Sequence, residues 1–404
     1  MALAITHIGQ LVTPVGPAPL CGDALARLTV ERDVEILVED GRIAEIAPSV
    51  RRPADVEIVD ARGGVVLPGF VDPHTHAVFA RGREEEFLAR AAGLRYDGGG
   101  ILDSAAHVAA ASEDDLVDHA RPFLRRMLAH GTTTAEIKSG YGLSVDGELK
   151  QLAAIATLRE ELPLRIVPTF LGAHAFPTDR SRGDYVASLI EEMIPWVKRR
   201  SLATFCDVFC DRGFFSVDDA RAVLVAARAA GMELKLHADE LADVGAAALA
   251  AELGAISADH LLCANERGLH ALAEAEVIGV LLPGTSFTLG VSFAPARRMI
   301  ELGVPVALAT DFNPGSCPIY AMPAILSLAV TRLGLAIEEA IAAATLNAAA
   351  AVGLADEVGS LECGKSADLL VLDLPTYRQL PYYFAHNPVR EVIVAGVHVW
   401  SEPA

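Results

Sequence analysis

The chain has 404 residues, of which 52% are hydrophobic and 21% charged, which excludes a disordered or fibrous protein. Its formal charge of −20 argues against nucleic acid and anionic membrane surfaces as partners. It leaves room for a small anionic substrate held by one or two local cations, and the length suits a barrel of about 250 residues plus a second module.

Residues 1–64 read as short strands joined by turns. Val34–Val38 alternates, Asp40-Gly41 supplies a hairpin turn, and Arg42–Ile46 returns. The first residues lack the basic region and apolar core of a signal peptide. Between residues 65 and 355, β-rich runs alternate with Ala/Leu-rich helical stretches. The expected strands are Val65–Val71, Thr132–Ile137, Leu164–Leu171, Phe205–Phe209, Glu233–Leu236, Ala255–Ala258, Val277–Leu282 and Pro305–Ala309. Expected helices include Glu113–Ala129 behind Ser112, Val217–Ala230 behind Ser216, Asp243–Leu253 and Ile337–Ala351. This pattern predicts an α/β fold closed as a (β/α)8 TIM barrel, with an open doubly wound sheet as the alternative. No GxGxxG follows the first strand, which weakens a dinucleotide-binding reading.

Residues 356–404 again read as strands, with Ala367–Leu372 and a hairpin around Ala395-Gly396. Neither end carries enough apolar positions to stand alone. The two are expected to combine into one small β-sandwich domain (1–64 and 356–404) beside the barrel domain (65–355). The uncharged stretches Val277–Ala296 and Phe312–Thr331 are interrupted by Gly and Pro, which favours strands and loops over membrane spans. Six cysteines form no CxxC pair, so neither a disulfide framework nor a zinc ribbon is expected, and a cytoplasmic setting is the default.

A barrel enzyme carries its chemistry at the C-terminal ends of its strands. Here those ends hold His74 and His76, Glu136–Gly142, His174, His237–Glu240, Asp259-His260 and Thr310–Ser316. Five of the 12 histidines occupy such positions. In His74-Thr75-His76 the two imidazoles are two apart and point to one side of an extended strand. Three histidines and one aspartate suit a borderline divalent metal with a position left for water. His74, His76, His237 and Asp311 are the expected ligands. Glu240 and His260 remain as acid/base groups, and His174 as an electrophile over a carbonyl oxygen.

With these stretches the chain resembles the amidohydrolase superfamily of metal-dependent barrel hydrolases. The motifs Lys138–Gly142, Leu171–Ala175 and Thr310–Ser316 are similar to a narrower branch, which hydrolyses 4-imidazolone-5-propanoate to N-formimidoyl-L-glutamate in histidine degradation. The resemblance implies one zinc or iron ion per chain, held by His74, His76, His237 and Asp311. It implies substrate contacts from Arg83, Tyr141, His174, Glu240, Asn313, Gly315 and Ser316, and a homodimer.

The propanoate arm calls for a cation, and Arg83 can offer a bidentate fork, with Arg81 as a competitor. Tyr141 can hydrogen-bond the same carboxylate, and Gly315 lets a backbone amide approach the ligand. Proton transfer is open between Glu240 and the pair His260 with Asp311. The fourth strand, Phe205–Cys210, carries no lysine to bridge two metals, and Lys138 is read as lying past the second strand, so a mononuclear centre is expected. Compared with the family, the turn before Arg83 carries fewer glycines, Leu94–Gly100 is shorter, and Ser316 stands where Thr is common. The rival readings are a nucleobase deaminase of the same superfamily, which needs no carboxylate clamp, and an inactive scaffold, which would have lost metal ligands.

Overall fold

A computed structural model describes residues 2–93 and 100–402; the expected shortening over Leu94–Gly100 falls almost wholly outside the described residues. Eight parallel strands follow one another around a barrel: Phe70–Asp72, Thr132–Lys138, Arg165–Ala173, Phe205–Cys210, Glu233–Ala238, Ser257–His260, Ile278–Leu281 and Val306–Leu308. Helices lie between them, among them Glu113–Ala129 and Val217–Ala229, both capped at the expected Ser112 and Ser216, where the structure shows full capping boxes.

The first and eighth strands are closed by polar groups. Both oxygens of the buried Asp72 accept from Thr310, the backbone N–H at 3.0 Å and Oγ1 at 2.6 Å. Just beyond, Asp311 N–H donates to His74 O at 3.0 Å, and His76 N–H donates to Phe312 O at 2.8 Å. Burial pushes the Asp72 carboxyl up to about 7. The seam that joins the two strands is therefore the seam that carries two histidines and an aspartate.

The termini form two further sheets. One runs Arg42–Ala47, Val34–Glu39, Ala2–Ile8, Glu57–Asp60; the other runs Val397–Ser401, Val389–Val394, Leu369–Leu372, Val65–Pro68, Gln10–Pro14, Leu28–Glu31. Leu3, Ile36, Val66 and Leu369 meet in the core between them, which makes a β-sandwich. Alternation then serves both sides of the second sheet: Val66 faces the sandwich, while Val65 and Leu67 join the barrel core.

Three expectations need correction. Val65–Val71 is two strands: Val65–Pro68 pairs with Gln10–Pro14 and Leu369–Leu372, and only Phe70–Asp72 enters the barrel. The break falls at Gly69, where a Cβ would lie 2.1 Å from Thr133 Oγ1. The helix expected at Asp243–Leu253 begins at Ala246, because the buried Asp239 carboxylate gathers the N–H groups of Val244, Gly245, Ala246 and Ala247. Ile337–Ala351 divides into Ile337–Ala343 and Leu346–Ala351, since Ala344 O is turned to accept from Val71 N–H and Asn347 is tied to Leu20 and Val306. Among the described residues no helix is long and apolar enough to cross a membrane.

Candidate active site

At the C-terminal ends of the strands the three expected histidines converge. His76 Nε2 lies 3.2 Å from His74 Nε2 and 3.4 Å from His237 Nε2. Asp311 Oδ1 lies 3.7 Å from His74 Nε2 and 3.6 Å from His76 Nε2. Metal–nitrogen bonds of 2.0–2.1 Å in a tetrahedron set ligand atoms about 3.3 Å apart, so the spacing fits a single first-row ion.

The far nitrogens explain the orientation. His74 Nδ1–H donates to Asp259 Oδ2 at 2.6 Å, and Asp207 Oδ2 lies 3.0 Å from His237 Nδ1. His74 thus turns an Nε2 lone pair inward, and His237 is oriented to do the same. Lone pairs turned inward at this range suit a shared cation. Burial holds the His74 and His76 imidazoles well below the ordinary histidine range, which keeps them neutral and ready to ligate. It pushes the Asp311 carboxyl up to about 6, against the Thr285 hydroxyl that donates to Asp311 Oδ2 at 2.5 Å. Asp311 (φ 54°) and His260 (φ 77°) both take left-handed backbone at their strand ends, strain that tertiary contacts must hold.

A small cavity beside this cradle is lined by His76, Arg83, Tyr141, His174, His237, Glu240, His260, Asp311, Asn313 and Ser316, with Ile101 and Phe209 as its apolar walls. The structure therefore brings together the expected residues, with Gly315 immediately behind Arg83. Burial, reinforced by Asp311 and Asp211, pushes the Glu240 carboxyl well above the carboxylate range. Its Oε2 is 3.7 Å from His260 Nδ1. Glu240 also borders a wider cavity of 750 Å³ that it shares with Phe87, Arg90 and Phe287.

Arg83 is buried, while Arg81 is exposed and turned to His107. Arg83 Nη1 donates to Ser104 Oγ at 3.0 Å, and Nε lies 2.9 Å from Glu86 Oε2. Burial raises the Tyr141 phenol above its usual range, with the neighbouring Arg83 acting against the rise.

Three expected roles change. His174 is neutral, because burial lowers it to about 3. Its Nδ1–H donates to Gly140 O at 3.1 Å, which leaves Nε2 an acceptor rather than an electrophile over a carbonyl. Asn313 spends its side chain on its own loop: Oδ1 accepts from the N–H of Gly315 and of Ser316, each at 2.8 Å, and Nδ2 donates to Asp311 O and Ser316 Oγ. The Gly315 amide is thereby committed; what its missing Cβ provides is room for Arg83, whose Nη2 a Cβ would approach to 1.7 Å.

The supports of the cradle carry no motif of their own. Asp259, Asp207 and Thr285 stand behind the expected ligands His74, His237 and Asp311. Glu148 accepts from the N–H groups of Gly140, Gly142 and Leu143, and Gln151 from that of Tyr141, which fixes the loop that carries the phenol. Lys138 is the last residue of the second strand, not a residue beyond it, and its side chain is buried inside the barrel. Burial opposes its charge, but Asp207, Glu136 and Asp259 outweigh that and hold the ammonium above the usual lysine range. A protonated, ion-paired lysine is no bridge for a second metal. The signal that was available is an ionisable residue two positions from another inside a buried strand, as in Glu136/Lys138 and Lys235/His237.

The fold and the site are those of a metal-dependent hydrolytic barrel, and the Amidohydrolase family model matches residues 65–399; the chain belongs to this family. Its fold is also that of an adenosine deaminase from Xanthomonas campestris with bound zinc, at a TM-score of 0.75 and 22% identity, over 98% of this chain and 92% of that one. Within the family the chain falls among the imidazolonepropionases. It is 49% identical to the imidazolonepropionase of Symbiobacterium thermophilum over 98% of this chain and 96% of that protein. It is 47% identical to that of Geobacillus kaustophilus over 98% and 97%.

Proposed function

We propose that the chain hydrolyses 4-imidazolone-5-propanoate to N-formimidoyl-L-glutamate, and that one zinc or iron ion per chain, held by His74, His76, His237 and Asp311, serves the reaction. The observation that carries the substrate choice is the buried Arg83, with Tyr141 beside it, in the cavity that holds His76, Glu240 and Asp311. A guanidinium there answers the propanoate arm, and a nucleobase deaminase has no use for it.

When bound, the metal supplies a water acidic enough to react near neutral pH. The remaining work falls to side chains. Arg83 and Tyr141 bind the carboxylate and set the ring over the cradle. The His174 Nε2 lone pair accepts from a ring N–H. Hydrolysis adds a hydroxyl to the ring carbonyl carbon, breaks the C–N bond and needs a proton on the departing nitrogen. Glu240, which favours its protonated form, is placed to deliver that proton, with His260 3.7 Å away to relay or orient it. Asn313 and Gly315 shape the loop around Arg83, and Ser316 offers its hydroxyl to the substrate.

The test is turnover of imidazolone propanoate by pure, metal-loaded protein, followed by the loss of its ultraviolet absorbance. An unchanged spectrum with full metal content would refute the assignment. The same reading carries a cytoplasmic homodimer; light scattering that gives a monomer mass would remove the dimer from it.

A further inference from the structure

Two lysines lie inside the barrel beneath the metal cradle, and neither side chain is exposed. Lys138 Nζ sits 2.8 Å from Asp207 Oδ2, 2.9 Å from Glu136 Oε1 and 3.7 Å from Asp259 Oδ2. Two of these oxygens also face an imidazole. Asp207 Oδ2 is the atom 3.0 Å from His237 Nδ1, and Asp259 Oδ2 is the acceptor of His74 Nδ1–H at 2.6 Å. One ammonium therefore contacts both oxygens that face the far nitrogens of two histidines, one just past the first strand and one in the fifth. The other oxygens are anchored locally: Asp207 Oδ1 accepts from the His237 N–H at 3.1 Å, and Asp259 Oδ1 from Ser257 Oγ at 2.6 Å.

We infer that Lys138 is a positioning residue for the metal centre, a single cation that cross-links the carboxylates behind His74 and His237 and so fixes the distance between their Nε2 atoms. A buried ion pair is weak evidence for stability, because desolvation offsets much of the attraction. Here the geometry gives it a different use. Partners that orient metal-ligating histidines change metal affinity by about 10- to 100-fold, and Lys138 acts on two of them together. The inference rests on the metal-cradle reading of the three histidines.

Lys235 is the control that the fold provides. It is equally buried, but its Nζ contacts Glu136 Oε2 at 3.0 Å and the carbonyls of Pro73 and Ala351 at 3.1 Å; its charge reaches Asp259 through space, but among the described residues it makes no ion pair with Asp207 or Asp259. Zn²⁺ affinity of the full chain is measured by competition with a chromophoric chelator for the wild type, Lys138→Met and Lys235→Met, beside the visible spectrum of each Co²⁺-loaded protein. Lys138→Met is expected to weaken Zn²⁺ at least about tenfold and to shift the Co²⁺ bands. Lys235→Met is expected to stay within about threefold with unshifted bands, whatever its cost to the melting temperature.

Equal losses in both variants, or a folded Lys138→Met within about threefold of wild type, would overturn the inference. If Lys138→Met does not fold, Lys138→Met/Asp207→Asn removes a charge of each sign and carries the test. Its affinity is expected below that of Asp207→Asn alone, since Asp259 also loses its direct contact with the Lys138 ammonium, and equality of the two overturns it. Failure of wild-type protein to bind Zn²⁺ at all would instead refute the metal-cradle reading.

Discussion

The two sides of the active-site cavity are built differently. The metal side hangs on strand ends: His74 and His76 just past the first strand, His237 in the fifth, Asp311 past the eighth. Each of His74, His237 and Asp311 has a buried partner from another strand or from the helix that follows one, in Asp259, Asp207 and Thr285. The anion side hangs on loops and on the starts of helices. Arg83 precedes a helix, Glu84–Ala91, that buries none of its residues, and it is held by Ser104, Glu86 and the space at Gly315. Reaction chemistry is thus tied to the most rigid part of the fold, and substrate choice to parts that can vary without disturbing it.

That contrast can be broken at several points. On the metal side, His237→Ala is expected to abolish both metal retention and turnover; elemental analysis showing stoichiometric metal in the purified variant would contradict it. Glu240→Gln separates chemistry from binding. We expect kcat to fall about 10²- to 10⁴-fold with metal content and KM little changed, and near-normal kcat would remove Glu240 from proton transfer.

The same variant has a pH signature. Glu240 is raised in the folded state by burial, so the native chain holds a proton there that the unfolded chain releases above about 4.3. Its contribution to stability is complete below that value and declines as pH rises towards the raised native pKa. Chelator-treated Glu240→Gln should therefore melt higher than wild type at pH 8, and the gap should close towards pH 4; a pH-independent gap would show that the carboxyl does not titrate as described.

On the anion side the effects are smaller and fall on KM. Loss of a hydrogen-bonded charge costs about 1.5–3 kcal/mol, so Arg83→Ala should raise KM roughly 10- to 150-fold with kcat largely kept. Gly315→Ala should approach the same phenotype by displacing the guanidinium; unaltered kinetics for that variant would show that the close approach is not needed. Tyr141→Phe keeps the guanidinium and removes one hydrogen bond from a neutral donor to the carboxylate, about 1.5 kcal/mol, a roughly 12-fold rise in KM. If Tyr141→Phe instead lowered kcat with KM constant, the phenol would belong to the chemistry and the division between the two sides would fail.

The metal side was also the more legible in the sequence. A histidine at the end of an apolar run needs only strand periodicity to be placed, and His74, His76, His237 and Asp311 needed nothing more. What escaped depends on contacts between distant segments. Asp207 and Asp259 read as polar residues in strands until the fold sets them against His237 and His74. Lys138 was misplaced by a strand boundary set one residue short, and in a strand one residue decides whether a side chain faces the interior. Asn313 and Gly315 sit in the right loop, but a motif does not say which partner a loop amide will choose. The continuous apolar run Val65–Val71 concealed a change of sheet that only the Gly69–Thr133 contact explains.

That change of sheet bears on how the chain is made. Val65–Pro68 leads directly into the strand before His74, and one of its neighbours, Leu369–Leu372, lies some three hundred residues later in the sequence. A nascent chain that has emerged as far as residue 355 contains all four expected ligands, yet the segment that leads into the first two of them lacks one flank. A stretch made some three hundred residues later thus completes the support of His74 and His76, and a stop before residue 369 would keep all four expected ligands and leave that support open on one side.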